Sequence, residues 1–253
     1  MISLKKHYLT GISLFILLLS AIWSGYALTS EAPIVDEPPH IAAGISYVQE
    51  QQYRLNPEHP PLTKLISGIT AQLAEPHLPT EEDWYQKGTN EQWRAGEAVL
   101  FGEKNNLTYV LSYSRVGATL LTYLGLILLW FWARKKIGEK EGDILLILLA
   151  SSPFLLAHGH FVTTDVAASF GAFLGIATFI TFLQKPNKKT GLVAGIAFGI
   201  AQLAKFSLVL LVPTYLLLAL FWAWNKRDGF MQYRHKLIQT VLVLFVGYAL
   251  IVY

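Results

Sequence analysis

The chain has 253 residues, 53% of them hydrophobic and only 15% charged, with a mean hydropathy of +0.40. A soluble domain carries about a quarter charged residues, so this composition excludes an ordinary soluble enzyme, and a net charge of +3 without a basic stripe excludes nucleic acid as a partner. The absence of cysteine excludes disulfides and thiolate metal sites.

In chain order, uncharged apolar runs occupy 9–28, 116–133, 144–157, 166–183, 192–204, 206–224 and 237–253. A spanning helix needs about 20 apolar residues, with tolerance to roughly 17. The pattern predicts an all-α, polytopic membrane bundle of about seven spans, a single integral membrane domain over 1–253. The first run could also be read as a signal peptide, although it is long for one; either way the following loop ends outside. Residues 29–108 form that long extracytoplasmic loop, with juxtamembrane helices. It holds five basic and twelve acidic residues. Lys5, Lys6, Arg134, Lys135, Lys136, Lys140, Lys185, Lys188, Lys189, Lys226, Arg227, Arg234 and Lys236 fall in the segments on the other side. The positive-inside rule then places the N-terminus in the cytoplasm; the expected location is that of a multi-pass protein in a bacterial inner membrane.

Within the loop, Asp36-Glu37-Pro38-Pro39-His40 lies just beyond the first span, and Asn56-Pro57-Glu58-His59-Pro60-Pro61-Leu62 follows. Prolines start helices at no hydrogen-bonding cost. Leu62, Leu65, Ile66, Ile69 and Leu73 recur at helical spacing and predict an amphipathic helix on the membrane surface. The stretch 75–106 reads as irregular.

The run 144–157 covers about 21 Å of a roughly 30 Å core. Its helix is expected to continue through His158-Gly159-His160 toward Asp165. The run 192–204 is also short and ends at Lys205. Both deficits point to a polar cavity in the outer leaflet, because ionisable groups at that depth face water. Glycines at 171, 175, 191, 195 and 199 allow close helix packing.

Asp36 and Glu37 have a plain reading as helix caps and a functional one as catalytic carboxylates. Asp36 is the better general base, since Glu37 precedes proline and orients the turn. Glu58 and His59 are preset by two prolines against a phosphate or a metal ion. Lys64, Arg115 and Lys205 are the outer cations; Arg115 and Lys205 either snorkel to headgroups or bind phosphate. No cofactor is certain. A divalent metal is an open alternative, with Glu58, His158 and His160 as weak ligands, because histidines two apart do not share a helix face.

Together these motifs resemble the polyprenyl-phosphate-dependent glycosyltransferases of the GT-C superfamily, nearest to protein O-mannosyltransferases and aminoarabinose lipid A transferases. The acidic pair after the first span, the Glu58-x-Pro60-Pro61-Leu62 turn, Asp165 opening a later helix and Ala204-Lys205-Phe206-Ser207 carry the resemblance. It implies transfer of a sugar from a polyprenyl-phosphate carrier to a lipid, glycan or protein acceptor on the outer face. It places Asp36 and Asp165 at acidic catalytic positions and Glu58 at the acidic position of the turn; His59 stands where the aminoarabinose transferases have lysine. That superfamily has more spans, so the chain reads as an N-terminal portion with a C-terminal half missing. The other reading is a non-catalytic polytopic membrane protein, either a transport or assembly component or a degenerate partner subunit. No internal repeat of the transporter kind is visible.

Overall fold

The computed structural model describes residues 2–225 and 230–252. Lys226, Arg227 and Tyr253 lie outside the described residues, as do the side chains of Lys5, Lys6, Arg234 and Lys236. The chain is 79% helical, with no strand among the described residues. Among the described residues, four helical segments are long and apolar enough to cross a membrane: Tyr8–Ser30, Leu107–Lys136, Asp165–Gln184 and Phe206–Trp224. The helices Glu139–Ala150 and Lys188–Ala204 are shorter, as is the apolar part, Ile238–Ala249, of the last helix. The chain is therefore a multi-pass membrane protein.

Two compact units divide within one helix, at 1–167 and 168–253. The first begins with α1 (Ile2–Ser30), α6 (Leu107–Lys136) and α7 (Glu139–Ala150). At one end Asp143 accepts from Thr10 Oγ1 at 2.7 Å, from Trp130 Nε1 at 2.9 Å and from Arg134. Further along, Tyr123 Oη bonds Ser20 and Ser24 at 2.7 and 3.0 Å. These contacts give the apolar helices a fixed rotational register.

Between α1 and α6 the loop is ordered by α2 (Glu37–Gln49), α3 (Leu62–Ala71), α4 (Asp83–Lys87) and α5 (Gln92–Phe101). The stretch read as irregular thus contains a ten-residue helix, α5. Its Ala95, Val99 and Leu100 join Ile41, Ile45 and Leu55 in one buried cluster. That tertiary burial supplies the helical stability that local spacing did not signal.

The amphipathic α3 is present, with its small and polar face turned inward. Thr63, Lys64, Ser67, Gly68 and Ala71 form the buried face, whereas Ile69 is 55% exposed. The small face makes close backbone contact possible. A Cβ on Gly44 would strike the carbonyl of Lys64, and one on Gly68 would strike the backbone of Gly44.

The expected continuation of helix from 144 toward Asp165 does not occur. α7 stops at Ala150, and a six-residue α8 (Pro153–His158) follows. Pro153 explains the break: it offers no N–H and disfavours the helical conformation at Ser152, which is extended (φ −65°, ψ 122°). Residues 159–164 then run as non-helical chain into α9 (Asp165–Gln184).

The second unit contains the rest of α9, α10 (Lys188–Ala204), a 3₁₀ turn (Phe206–Leu210), α11 (Leu211–Asn225) and α12 (Phe230–Val252). Asn187 and Thr190 close a reciprocal cap on α10. The Phe179 and Tyr215 rings stack at 4.0 Å and 7°, and Gly171 packs against Ala201.

Candidate functional site

A cavity of about 250 Å³ opens in the first unit where α2, α5 and the 56–59 turn meet. Asp36, Pro39 and His40 form one wall, Asn56, Glu58 and His59 a second, and Gln92 and Trp93 the third. The two motifs singled out in the sequence therefore share one cavity. Gln92, Trp93 and the roles of His40 and Asn56 were not foreseen. Gln92 and Trp93 open α5, a helix whose position depends on long-range packing.

Asp36 holds the N-cap position of α2, yet its side chain makes no capping hydrogen bond and is exposed. Glu37 is the opposite, with no exposed surface. Its Oε1 accepts from Arg115 Nε at 2.9 Å and Val162 N at 3.1 Å; its Oε2 accepts from Arg115 Nη2 at 2.7 Å and Ile34 N at 3.0 Å. Glu37 thereby fixes the turn that presents Asp36, and with four donors filling its carboxylate it is a structural group.

Arg115 corrects the expectation of a snorkelling or phosphate-facing cation. It is fully buried and directs its five N–H groups at Glu37 and at the carbonyls of Leu28, Glu31 and Ala32. Its guanidinium also lies 5.1 Å from the centre of the Phe161 ring. Lys64 is likewise buried, and Nζ donates to Asn56 O at 2.7 Å, Asn56 Oδ1 at 3.0 Å and His59 O at 2.6 Å. Three donors meet three acceptors, so the ammonium staples the turn that carries Glu58 and His59. Burial pushes its pKa down to about 7, against the pull of Glu58. Asn56 adopts the left-handed conformation, φ 53°, which asparagine tolerates better than most residues.

Glu58 Oε1 accepts from Gln92 Nε2 at 2.8 Å and Asn90 Nδ2 at 2.9 Å. Desolvation raises its pKa, but hydrogen bonds from its own backbone, Gln92 and Asn90, with the charge of His59, outweigh that and leave it lowered. Glu58 is thus an ionised acceptor. Gln92 also takes a short hydrogen bond from Asn56, joining the wall of α5 to the turn.

His40 Nδ1 lies 2.8 Å from Val162 O, a geometry that places the proton on Nδ1. Its ring meets His59 edge-on at 4.9 Å. Burial is the largest influence on its pKa and pushes it down to about 4. Neutral at ordinary pH, His40 has its Nε2 lone pair available at the cavity wall.

Asp165 begins α9 with an exposed side chain, three residues beyond Val162, and is not among the cavity-lining residues. Lys205 lies in the second unit, half-buried and extended at the end of α10. His160 is buried against Glu31 at 3.1 Å, and burial lowers its pKa. The His158 ring packs 4.8 Å from Phe154 and 5.9 Å from Phe161. No group of three or more His, Asp or Glu among the described residues is arranged to hold a metal; Glu58, His158 and His160 have separate partners.

Residues 110–253, more than half of the chain, match the model of a family described as dolichyl-phosphate-mannose-protein mannosyltransferase. The matched segment contains Arg115, Asp165 and Lys205, while the cavity residues precede it. Among curated proteins none matches the chain.

Proposed function

The chain belongs to the dolichyl-phosphate-mannose-protein mannosyltransferase family, membrane glycosyltransferases of the GT-C type, and from that premise we propose that it moves a sugar from a polyprenyl-phosphate carrier to a lipid, glycan or protein acceptor at the outer face, with Asp36 as general base. The observation that carries this reading is the uncapped, cavity-facing carboxylate of Asp36. Pro38 and Pro39 carry no N–H at the second and third positions of α2, so the Asp36 side chain has no amide to cap there, and Glu37 fixes the turn that leaves it exposed at the cavity.

Asp36 takes the proton of the acceptor hydroxyl as its oxygen attacks the anomeric carbon. The bond from that carbon to the carrier phosphate breaks, and its electron pair leaves with the phosphate. A single base on the face opposite the leaving group inverts the anomeric centre. Glu58, held ionised by two carboxamides, stabilises positive charge developing on the sugar. Arg115 and Lys64 spend their N–H groups inside the fold, where they hold the turns that carry Glu37, Glu58 and His59. Asp165 is the second candidate acid.

The test is Asp36→Asn in the full-length protein, assayed in membranes for sugar transfer from a polyprenyl-phosphate donor. General-base catalysis contributes roughly a hundred- to ten-thousand-fold, so transfer falls at least about a hundred-fold while expression and thermal stability stay normal. Near-normal turnover would overturn the assignment and direct attention to Asp165.

A further inference from the structure

The second unit contains a groove whose lining residues take no part in the proposed transfer site. α10 and α12 cross where Gly195 meets Gly247, so closely that a Cβ on Gly247 would strike the carbonyl of Gly195. Toward Lys188 and Gln239 the helices leave a groove of about 630 Å³ between them. Leu192, Leu242, Val243 and Val246 make its walls apolar, and Gly191 leaves space beside the Phe182 ring.

Two polar groups stand in this apolar groove. Lys188 is exposed at its rim. Gln239, half-buried on α12, lines the same end of the groove. Its carboxamide offers a donor and an acceptor beside the apolar walls. The local charge defines the partner: Lys185, Lys188 and Lys189 are all exposed on the turn from α9 into α10, where Pro186, Asn187 and Lys188 line the groove.

We infer that this groove binds one acidic phospholipid, an acyl chain lying along Leu192, Leu242 and Val246 and the headgroup phosphate meeting Lys188, with Gln239 donating to an ester or phosphate oxygen. Basic clefts between membrane helices bind anionic headgroups in this way. The groove is a binding site for lipid and lies outside the proposed transfer chemistry. Retention of lipid by the Asp36→Asn protein separates the two readings.

The experiment is native mass spectrometry of the full chain in detergent, with equal amounts of phosphatidylglycerol and phosphatidylcholine of matched acyl chains. Each basic side chain near an anionic surface contributes about 1 kcal/mol, which corresponds to roughly five-fold in affinity. Phosphatidylglycerol is therefore retained at least about five-fold over phosphatidylcholine. Lys188→Glu removes the preference, and Gln239→Leu reduces it. Lys136→Glu, an equal charge change at the end of α6, leaves it intact. Gly191→Leu fills the groove and lowers retention of both lipids. Equal retention of the two lipids by the unaltered chain would overturn the inference, as would equal effects of Lys188→Glu and Lys136→Glu. Displacement by inorganic phosphate alone would also overturn it, because a seated acyl chain holds the lipid against a free anion.

Discussion

Glu37 and Arg115 are 78 positions apart, and their ion pair is wholly buried. Removing one partner of such a pair leaves a buried charge and costs about 3–5 kcal/mol. Arg115→Ala is expected to lower stability by that amount, measured by thermal unfolding in detergent, and to release the turn that presents Asp36. A loss under about 1 kcal/mol would show that the pair is replaceable by water. His40 supplies a pH dependence of definite sign. Its pKa is about 4 in the folded chain against an ordinary 6.5, so the unfolded state binds more protons between those values. Stability is therefore full above pH 6.5 and falls as pH drops toward 4, by up to about 3 kcal/mol. His40→Gln should flatten this part of the stability profile, and an unchanged slope would assign it to other groups.

At the scale of elements, α3 shows how a close helix crossing decides which face is buried. Gly68 and the small polar residues turn inward and Ile69 outward, because the crossing of α2 requires a surface without a Cβ. Gly68→Ala would place a methyl against the backbone of Gly44, and overpacking of this kind costs about 1–3 kcal/mol. Since α3 carries Lys64, which ties the 56–59 turn, the same substitution should reduce transfer as well as stability. Full transfer at full stability would mean that the two helices separate without disturbing the turn.

For the whole molecule, the charge distribution predicts which segments share a side of the membrane. The chain contains no cysteine, so single-cysteine variants report cleanly. A cysteine at Glu103 should react with an impermeant reagent from outside in intact cells, and one at Lys185 only after permeabilisation. Labelling in the reverse sense would invert the topology and move the proposed transfer site to the cytoplasmic face.

Membrane class and the acidic turns of the loop follow from local features, namely runs of apolar residues, sidedness of Lys and Arg, and prolines set beside carboxylates. These need no knowledge of distant contacts, so residues 36–40 and 56–62 could be read as one site before their meeting was visible. Tertiary structure alone decided what each charge does. Arg115 and Lys64 carry the same sign and residue types as phosphate-binding cations, but burial against carbonyls commits their N–H groups to holding the turns. Asp36 and Glu37 are neighbours with the same carboxylate chemistry, yet one is closed inside an ion pair and the other is left at the cavity. Gln92 and Trp93 enter the site because α5 packs on α2. The partners of a buried polar group lie wherever the fold brings an oxygen or a charge, and sequence distance does not record that proximity.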